Sequence, residues 1–261
     1  MKTAFLKCMG VGDGWPCADR GHAAFLYSLG SVTLLVDTGD PISGLLKKAN
    51  WHCDNIDRVF VTHLHMDHVG GIFMLLQGLW LDGRTKPLIV HLPSEGIEPV
   101  SRMLKAGYFF DELIRFKLDF APIQPGETVD VGDGVRVTAF PTSHLVALKN
   151  RFGQQNPVGF EAFCFVVEFD GKRVIHSGDV GNINDLAPVA DQPTDVLVCE
   201  LAHVTLEELG AFVTGHPVKK TVLVHLPDAM WRDLPKTREA AARALGNVPF
   251  VIPFDGDEIV I

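Results

Sequence analysis

Residues 62–71 read Thr62-His63-Leu64-His65-Met66-Asp67-His68-Val69-Gly70-Gly71 and directly follow an apolar run that is typical of a buried strand. Alternate side chains of an extended segment project to the same side, so His63 and His65 are expected to share one metal ion. Asp67 and His68 come where the chain is expected to turn into a helix, so they face a second ion a few ångströms away. This short stretch therefore predicts donors for two ions.

The donor types indicate which ions these are. A set rich in imidazole nitrogen and free of thiolate suits Zn²⁺, with Mn²⁺ and Fe²⁺ as alternatives. A histidine-rich surface turn that binds no metal is the other interpretation, and the density of donors directly after a strand argues against it. Two divalent metal ions need roughly seven or eight protein ligands, so other parts of the chain must contribute.

Three single residues are the candidates for these further ligands. His144, Asp179 and His225 each stand at, or just beyond, the end of an apolar run of the strand type. Functional sites gather at the carboxyl ends of strands in layered α/β folds. Taken singly, each residue would more often be structural, but their order behind the first cluster favours metal binding.

With these residues in place, the chain resembles the metallo-β-lactamase-fold hydrolase superfamily over nearly its whole length, from Gly10 to His225. The resemblance is carried by the H-x-H-x-D-H string and the three later donors, which follow in the family's order. It implies that one ion is held by His63, His65 and His144. It also implies that the other is held by Asp67, His68 and His225, with Asp179 bridging both.

The expected fold is an αββα sandwich of the α/β class, in which two mixed β-sheets pack face to face with helices on the outside. Residues 1–261 are expected to form a single domain. The predicted strands are 1–7, 22–29, 31–37, 58–62, 88–92, 135–140, 160–169, 173–177, 196–199, 221–225 and 250–254. The predicted helices are 69–81, one that a capping box opens at Thr205, and 237–245, which Gly246 closes. Asp170-Gly171 predicts a two-residue hairpin turn.

Composition indicates a soluble globular protein. Hydrophobic residues make up 47% of the chain and charged residues 21%. No apolar run approaches the ~20 residues of a membrane helix, and the start is too short and interrupted for a signal peptide. The five cysteines are odd in number and lack C-x-x-C spacing, which favours a reducing, cytoplasmic location. The sequence leaves open whether the protein forms a homodimer.

The formal net charge of −9 bears on the substrate. Proteins that bind nucleic acid along many phosphates usually carry a basic face, and no block rich in lysine and arginine occurs here. We therefore expect a small, anionic substrate and no extended nucleic-acid footprint.

The two ions indicate the reaction. A metal-bound hydroxide can form near neutral pH, and the same cations stabilise the charge that builds after its attack. No G-x-S-x-G nucleophile elbow is present. Hydrolysis by direct attack of this hydroxide follows, and Asp67 is counted among the catalytic residues as well as the ligands.

His203 lies 22 residues before His225, a spacing similar to that of the phosphodiesterase branch of the superfamily. By this resemblance His203 would be the general acid, a role that suits imidazole. A histidine that only bonds to backbone at a helix start is the alternative. Glu200 could orient His203, or be merely solvated. Asp37 resembles the family's aspartate that accepts a hydrogen bond from a ligand histidine, although Asp37-Thr38-Gly39 would also form a turn by itself.

Features around His144 and His203 also resemble the branch that includes tRNA 3′-end-processing endonucleases. Those enzymes carry a protruding tRNA-binding arm between the positions that match His144 and Asp179. Here only 34 residues intervene, which leaves no room for the arm. The segment 149–157 is expected to be a polar loop, either a solvated hairpin connection or one in which Lys149 and Arg151 meet an anionic substrate.

These observations predict a dinuclear metallohydrolase that acts on a small phosphodiester. Two alternatives stay open: a hydrolase of carboxylic esters, lactones or thioesters on the same metal centre, and a weakly active, ligand-binding member of the fold. Structural roles are expected for the remaining histidines weighed, which are His22, His52, His91, His176 and His216.

Overall fold

The computed structural model describes residues 4–261, which form two β-sheets of seven strands each. The strands are β1 (Ala4–Gly10), β2 (Ala24–Leu29), β3 (Val32–Val36), β4 (Arg58–Phe60), β5 (Leu88–Leu92), β6 (Leu118–Pro122), β7 (Thr128–Gly132), β8 (Val135–Pro141), β9 (Phe163–Phe169), β10 (Lys172–His176), β11 (Val196–Glu200), β12 (Thr221–Val224), β13 (Phe250–Val251) and β14 (Glu258–Val260). The predicted first strand is observed from Ala4 onward, and its residues 1–3 lie outside the described part.

Each sheet is half antiparallel and half parallel. The first has the order β14-β1-β2-β3-β4-β5-β6, antiparallel from β14 to β3 and parallel from β3 to β6. The second has the order β13-β12-β11-β10-β9-β8-β7, parallel from β13 to β10 and antiparallel from there to β7. The prediction of two mixed sheets is confirmed.

Helices connect the strands. They are α1 (Ile42–Lys48), α2 (Met66–Val69), α3 (Ile72–Leu81), α4 (Ser94–Ala106), α5 (Val146–Phe152), α6 (Ala187–Ala190), α7 (Leu206–Gly215), α8 (Asp228–Arg232) and α9 (Leu234–Leu245), with 3₁₀ turns at Cys53–Asn55 and Ile183–Leu186. Within residues 4–261, none of these helices has the length and apolar character needed to cross a membrane.

The core is arranged in three layers. The middle layer lies between the sheets and joins side chains of both, among them Phe25, Phe60 and Phe165. One outer layer packs helices α3 and α4 on the first sheet, and the other packs α7 and α9 on the second. Because every sheet face buries apolar side chains, this is the predicted αββα sandwich.

Local signals in the sequence are confirmed at several turns and caps. Asp170 and Gly171 join β9 to β10 with φ of 48° and 74°, the positive values that a primed hairpin turn requires. Thr205 and Glu208 form the predicted capping box of α7. Helix α9 ends at Leu245, and Gly246, which follows it, has a φ of 58°.

Two expectations about local structure are wrong in part. The helix predicted over 69–81 is interrupted, because Gly71 donates its N–H to the carbonyl of Thr38 at 2.8 Å and thereby separates α2 from α3. The polar loop predicted over 149–157 is helical up to Phe152, where α5 ends. Residues 145–152 contain neither glycine nor proline, so the helix that starts at Val146 continues until Gly153.

The predicted strand 160–169 begins only at Phe163, and the one predicted over 250–254 extends only from Phe250 to Val251. Phe160 has a φ of 55°, which a strand cannot accommodate.

Candidate metal centre

The H-x-H-x-D-H stretch lies where β4 leads into α2. His63 is fully buried, His65 is the residue before the first turn of α2, and Asp67 and His68 lie within that turn. The change from extended to helical backbone at Met66 aims the two pairs differently, as predicted.

Two clusters of donor atoms result. His63, His65, His144 and Asp179 form one, Asp67, His68 and His225 form the other, and the ligand atoms within each cluster lie within 4.8 Å of one another. Nε2 of His144 is 3.2 Å from Nδ1 of His65, and Nε2 of His225 is 3.5 Å from Oδ2 of Asp67. Ligands about 2.0–2.1 Å from a tetrahedral ion stand about 3.3 Å apart, so these spacings suit one ion per cluster.

Asp179 touches both clusters with different oxygen atoms. Its Oδ2 is 3.8 Å from Nε2 of His63 and 3.7 Å from Nε2 of His144. Its Oδ1 is 3.4 Å from Nε2 of His68 and 3.6 Å from Nε2 of His225. A carboxylate that bridges two ions needs this division of its oxygens.

Buried polar atoms without protein partners mark the same two places. Among the described residues, Nε2 of His63, Nε2 of His68 and Oδ1 of Asp179 have no hydrogen-bond partner. Leaving buried polar atoms unpaired is costly, so such a cluster calls for a ligand. The donor chemistry, imidazole and carboxylate without thiolate, fits two divalent cations of the zinc type.

The histidines of the first cluster are held in the form that binds metal. Burial, followed by the neighbouring His68, keeps the pKa of His63 well below its usual range. Burial lowers the pKa of His144 to about 4. A neutral imidazole has a free lone pair, which is what a cation requires.

The carboxylates stay ionised. Burial alone would raise the pKa of Asp67, but the adjacent His68, followed by His225, lowers it to about 2. The pKa of Asp179 is likewise held well below its usual value against burial, mainly by His68 and His225.

Asp37 orients His68 from behind. Its Oδ2 accepts a hydrogen bond from Nδ1 of His68 at 2.8 Å, and its Oδ1 accepts one from the backbone N–H of Thr62 at 2.7 Å. This fully buried carboxylate accepts the N–H of Nδ1, so in the neutral imidazole the lone pair stands on Nε2, which faces Asp67 and Asp179. The hydrogen bond expected of Asp37 is present.

His203 stands beside the first cluster, with its ring centroid 4.7 Å from that of His144. Nδ1 of His203 is 3.1 Å from Oε1 of Glu200, whose Oε2 accepts the backbone N–H of His203 at 2.8 Å. This contact with Glu200 is the main cause that raises the pKa of His203. The side chain is 40% exposed, so the imidazole is open to a substrate.

Two further contacts were not foreseen from the sequence. Asp185 accepts hydrogen bonds from the backbone N–H groups of Ser143 and Gly181, at 2.8 Å and 3.0 Å, and so holds the loops of His144 and Asp179 together. The capping-box spacing from Asn182 to Asp185 was the available signal. The backbone N–H of His225 donates to the carbonyl of Val11 at 3.0 Å, which no local pattern indicated.

Most of the other histidines have structural partners, as expected. Nδ1 of His176 meets the hydroxyl of Tyr27 at 2.8 Å, Nδ1 of His22 meets the carbonyl of Asp13 at 2.7 Å, and Nδ1 of His216 meets the carbonyl of Phe212 at 2.8 Å. His52 accepts a backbone hydrogen bond from Asp54.

The chain is similar to several known proteins. Ribonuclease Z of Thermoplasma volcanium is 30% identical over 123 residues, which are 47% of this chain and 40% of that protein. Ribonuclease Z of Bradyrhizobium diazoefficiens is 25% identical, with 96% of this chain and 98% of that protein covered. The chain thus spans well under half of the first relative and nearly all of the second.

A solved structure shares the fold. The metallo-beta-lactamase fold protein YhfI from Bacillus subtilis superposes with a TM-score of 0.78 at 19% identity, over 98% of this chain and 99% of that one. The family model described as "Beta-lactamase superfamily domain" matches residues 33–226, which is more than half of the chain. The predicted superfamily is thereby confirmed: this protein belongs to the beta-lactamase superfamily.

Proposed function

We propose that the protein is a dinuclear metal-dependent hydrolase that cleaves a small phosphodiester. The observation that carries the proposal is the pair of donor clusters joined by the two oxygens of Asp179. His63, His65 and His144 would hold one divalent ion, Asp67, His68 and His225 the other, and Asp179 both. Zn²⁺ is the first choice, with Mn²⁺ and Fe²⁺ as alternatives.

When bound, two such cations lower the pKa of water near them and polarise a phosphoryl oxygen. The protein's own groups complete the chemistry. Asp67 remains a carboxylate and is available to accept a hydrogen bond from the attacking water. His203 carries the proton that the leaving oxygen needs, and Glu200 holds the imidazole by its Nδ1 so that Nε2 is free to donate it.

The surroundings of the site favour a small substrate with an apolar group. Trp15 and Met66 are about three-quarters exposed, at 75% and 74%. Both adjoin Asp67: Met66 in sequence, and Trp15 through Gly14, whose added Cβ would lie 3.4 Å from Oδ2 of Asp67. Large apolar side chains exposed beside a polar centre indicate a surface that binds apolar groups.

The segment that follows His144 carries two cationic side chains. Lys149 and Arg151 lie on the exposed helix α5, a few residues after His144. The net charge of −9 opposes binding along many phosphates. The curated relatives named ribonuclease Z support phosphodiester chemistry, while charge and the short His144–Asp179 segment favour a small diester over a long RNA.

The first test is the metal content and substrate preference of the purified protein. We expect about two equivalents of zinc per chain by elemental analysis, and hydrolysis of bis(p-nitrophenyl) phosphate that a chelator abolishes. Parallel assays use p-nitrophenyl acetate, a lactone, a thioester, a β-lactam and a precursor tRNA.

Faster turnover of an ester, lactone or thioester would replace the diester proposal while keeping the metal centre. Preference for the tRNA would refute the small-substrate part. Stoichiometric zinc with no turnover of any of these would indicate a ligand-binding member of the fold. A preparation free of zinc, manganese and iron that retains full activity would reject the centre itself.

A further inference from the structure

A cavity apart from the candidate metal centre lies between the sheets, at the edge where β6 leads into β7. Its volume is about 280 Å³, and none of the candidate metal ligands lines it. Most of its wall is apolar and comes from both sheets, with Phe60 on one side and Val129, Val137, Ala139 and Phe165 on the other.

The polar group in the buried wall is His91. This residue is only 7% exposed, and its ring stacks on Phe60 with centroids 4.3 Å apart and an interplanar angle of 4°. Its Nε2 is buried and has no hydrogen-bond partner among the described residues. Each of the other histidines outside the metal centre has a hydrogen-bond partner. His91 is the exception, and leaving its buried nitrogen unpaired is costly unless a ligand supplies the partner.

The charges around the cavity indicate whether its ligand is charged or neutral. Burial, together with the nearby Arg58, lowers the pKa of His91 to about 4, so the imidazole is neutral at pH 7. The exposed Gln124 and Glu127 stand in the outer wall, where the carboxylate of Glu127 repels anions. A neutral ring in an otherwise apolar wall can form a hydrogen bond but cannot neutralise a buried charge, so the interior favours an uncharged occupant.

We propose that this cavity binds a small, uncharged, largely apolar molecule with one hydroxyl or equivalent group, which pairs with Nε2 of His91. Water alone is a poor occupant. A buried water needs two or more polar partners, whereas the buried part of the wall offers the single nitrogen of His91. An aromatic alcohol would form a hydrogen bond with Nε2 of His91 through its hydroxyl and fill the apolar part of the cavity with its ring.

Three matched probes test the proposal by titration calorimetry on the purified protein. They are 4-ethylphenol, ethylbenzene and 4-ethylbenzoate, which differ in having a hydroxyl, no polar group or a charge. We expect saturable one-to-one binding of 4-ethylphenol, binding of ethylbenzene weaker by about five- to tenfold as one hydrogen bond is lost, and no binding of 4-ethylbenzoate.

Two variants localise the binding. Ala139→Leu fills the cavity and should weaken 4-ethylphenol binding at least tenfold, whereas Ala242→Leu, on the exposed face of α9, is the matched control and should leave it unchanged. His91→Phe keeps the stacked ring and removes the nitrogen, so the difference between 4-ethylphenol and ethylbenzene should vanish.

Several results would overturn the proposal: no saturable binding of 4-ethylphenol up to its solubility limit, equal binding by Ala139→Leu and the control, or an undiminished hydroxyl preference in His91→Phe. If Ala139→Leu fails to fold by circular dichroism, the His91→Phe comparison decides alone. None of these readouts depends on hydrolytic activity.

Discussion

The two halves of the chain supply the candidate centre in different ways. In the first half one turn after β4 provides four donors, from His63 to His68. In the second half the donors come singly, after β8, β10 and β12, and Asp179 alone reaches both clusters. Local spacing therefore identifies the first set, while the second exists as a set only because β8, β10 and β12 run in the same direction and end at one edge of the sheet.

The largest effect is expected from Asp179→Asn. This variant tests whether losing the bridging donor removes more metal than losing a single donor of the turn after β4. A neutral amide cannot bridge two cations, so metal content should fall from two ions toward none and turnover at least about a thousandfold. His65→Ala, the matched change in the turn, should leave about one ion. Elemental analysis and diester hydrolysis measure both. If Asp179→Asn retains as much metal as His65→Ala, Asp179 does not hold both ions.

A smaller loss is expected from His203→Ala, which separates proton donation from metal binding in the second half. Without the general acid, kcat should fall about a hundredfold for a diester with an alkyl alcohol as leaving group. It should fall much less for bis(p-nitrophenyl) phosphate, whose leaving group needs no proton. Metal content should not change, and neither should activity in the control His52→Ala. Equal losses on both substrates would contradict the acid role.

Asp37→Asn tests how the ligands of the turn are oriented, because it removes the carboxylate that accepts the hydrogen bond from Nδ1 of His68 and leaves every ligand in place. Loss of such a partner usually weakens metal affinity about 10- to 100-fold, so zinc should dissociate at correspondingly lower chelator concentrations. Competition with a chromogenic chelator measures this change. An unchanged affinity would show that the turn orients its histidines without Asp37.

The smallest effects are expected from alanine substitutions at two glycines, one in each half of the chain. A Cβ on Gly71 would lie 2.6 Å from the carbonyl oxygen of Thr38, and one on Gly210 would lie 2.2 Å from that of Ala244. Each alanine variant should lose about 2 kcal/mol of unfolding free energy, roughly 5 °C in Tm. Gly215→Ala, on the same helix as Gly210 but in open space, is the control.

The two variants should differ in metal binding. Gly71 adjoins the turn of ligands, so Gly71→Ala should also weaken zinc affinity, whereas Gly210→Ala, between α7 and α9, should not. Thermal unfolding monitored by circular dichroism, combined with chelator competition, measures both. Equal metal affinities in the two variants would show that the turn tolerates displacement.

The sequence predicted what depends on local chemistry. Strand patterns, the capping box at Thr205, the Asp170-Gly171 turn and the dense H-x-H-x-D-H string all carry their physical cause within a few residues. The metal-ligand assignments themselves stay predictions that metal analysis tests.

What could not be predicted depends on distant parts of the chain. The hydrogen bond from His225 to Val11 joins residues far apart in sequence, and the break at Gly71 depends on a carbonyl in another loop. The cavity beside His91 exists because edge strands of two different sheets face one another, and neither strand alone shows it. Alternation within a strand does not determine what the opposite sheet presents.

The division of donors between the sheets has a further consequence. His63 and His68 follow a strand of one sheet, while His144, Asp179 and His225 follow strands of the other. In the proposed centre the ions would thus act as cross-links between the two halves of the sandwich. Separating the sheets would then release the ions, so mechanical and thermal resistance of the fold would rise with the free zinc concentration.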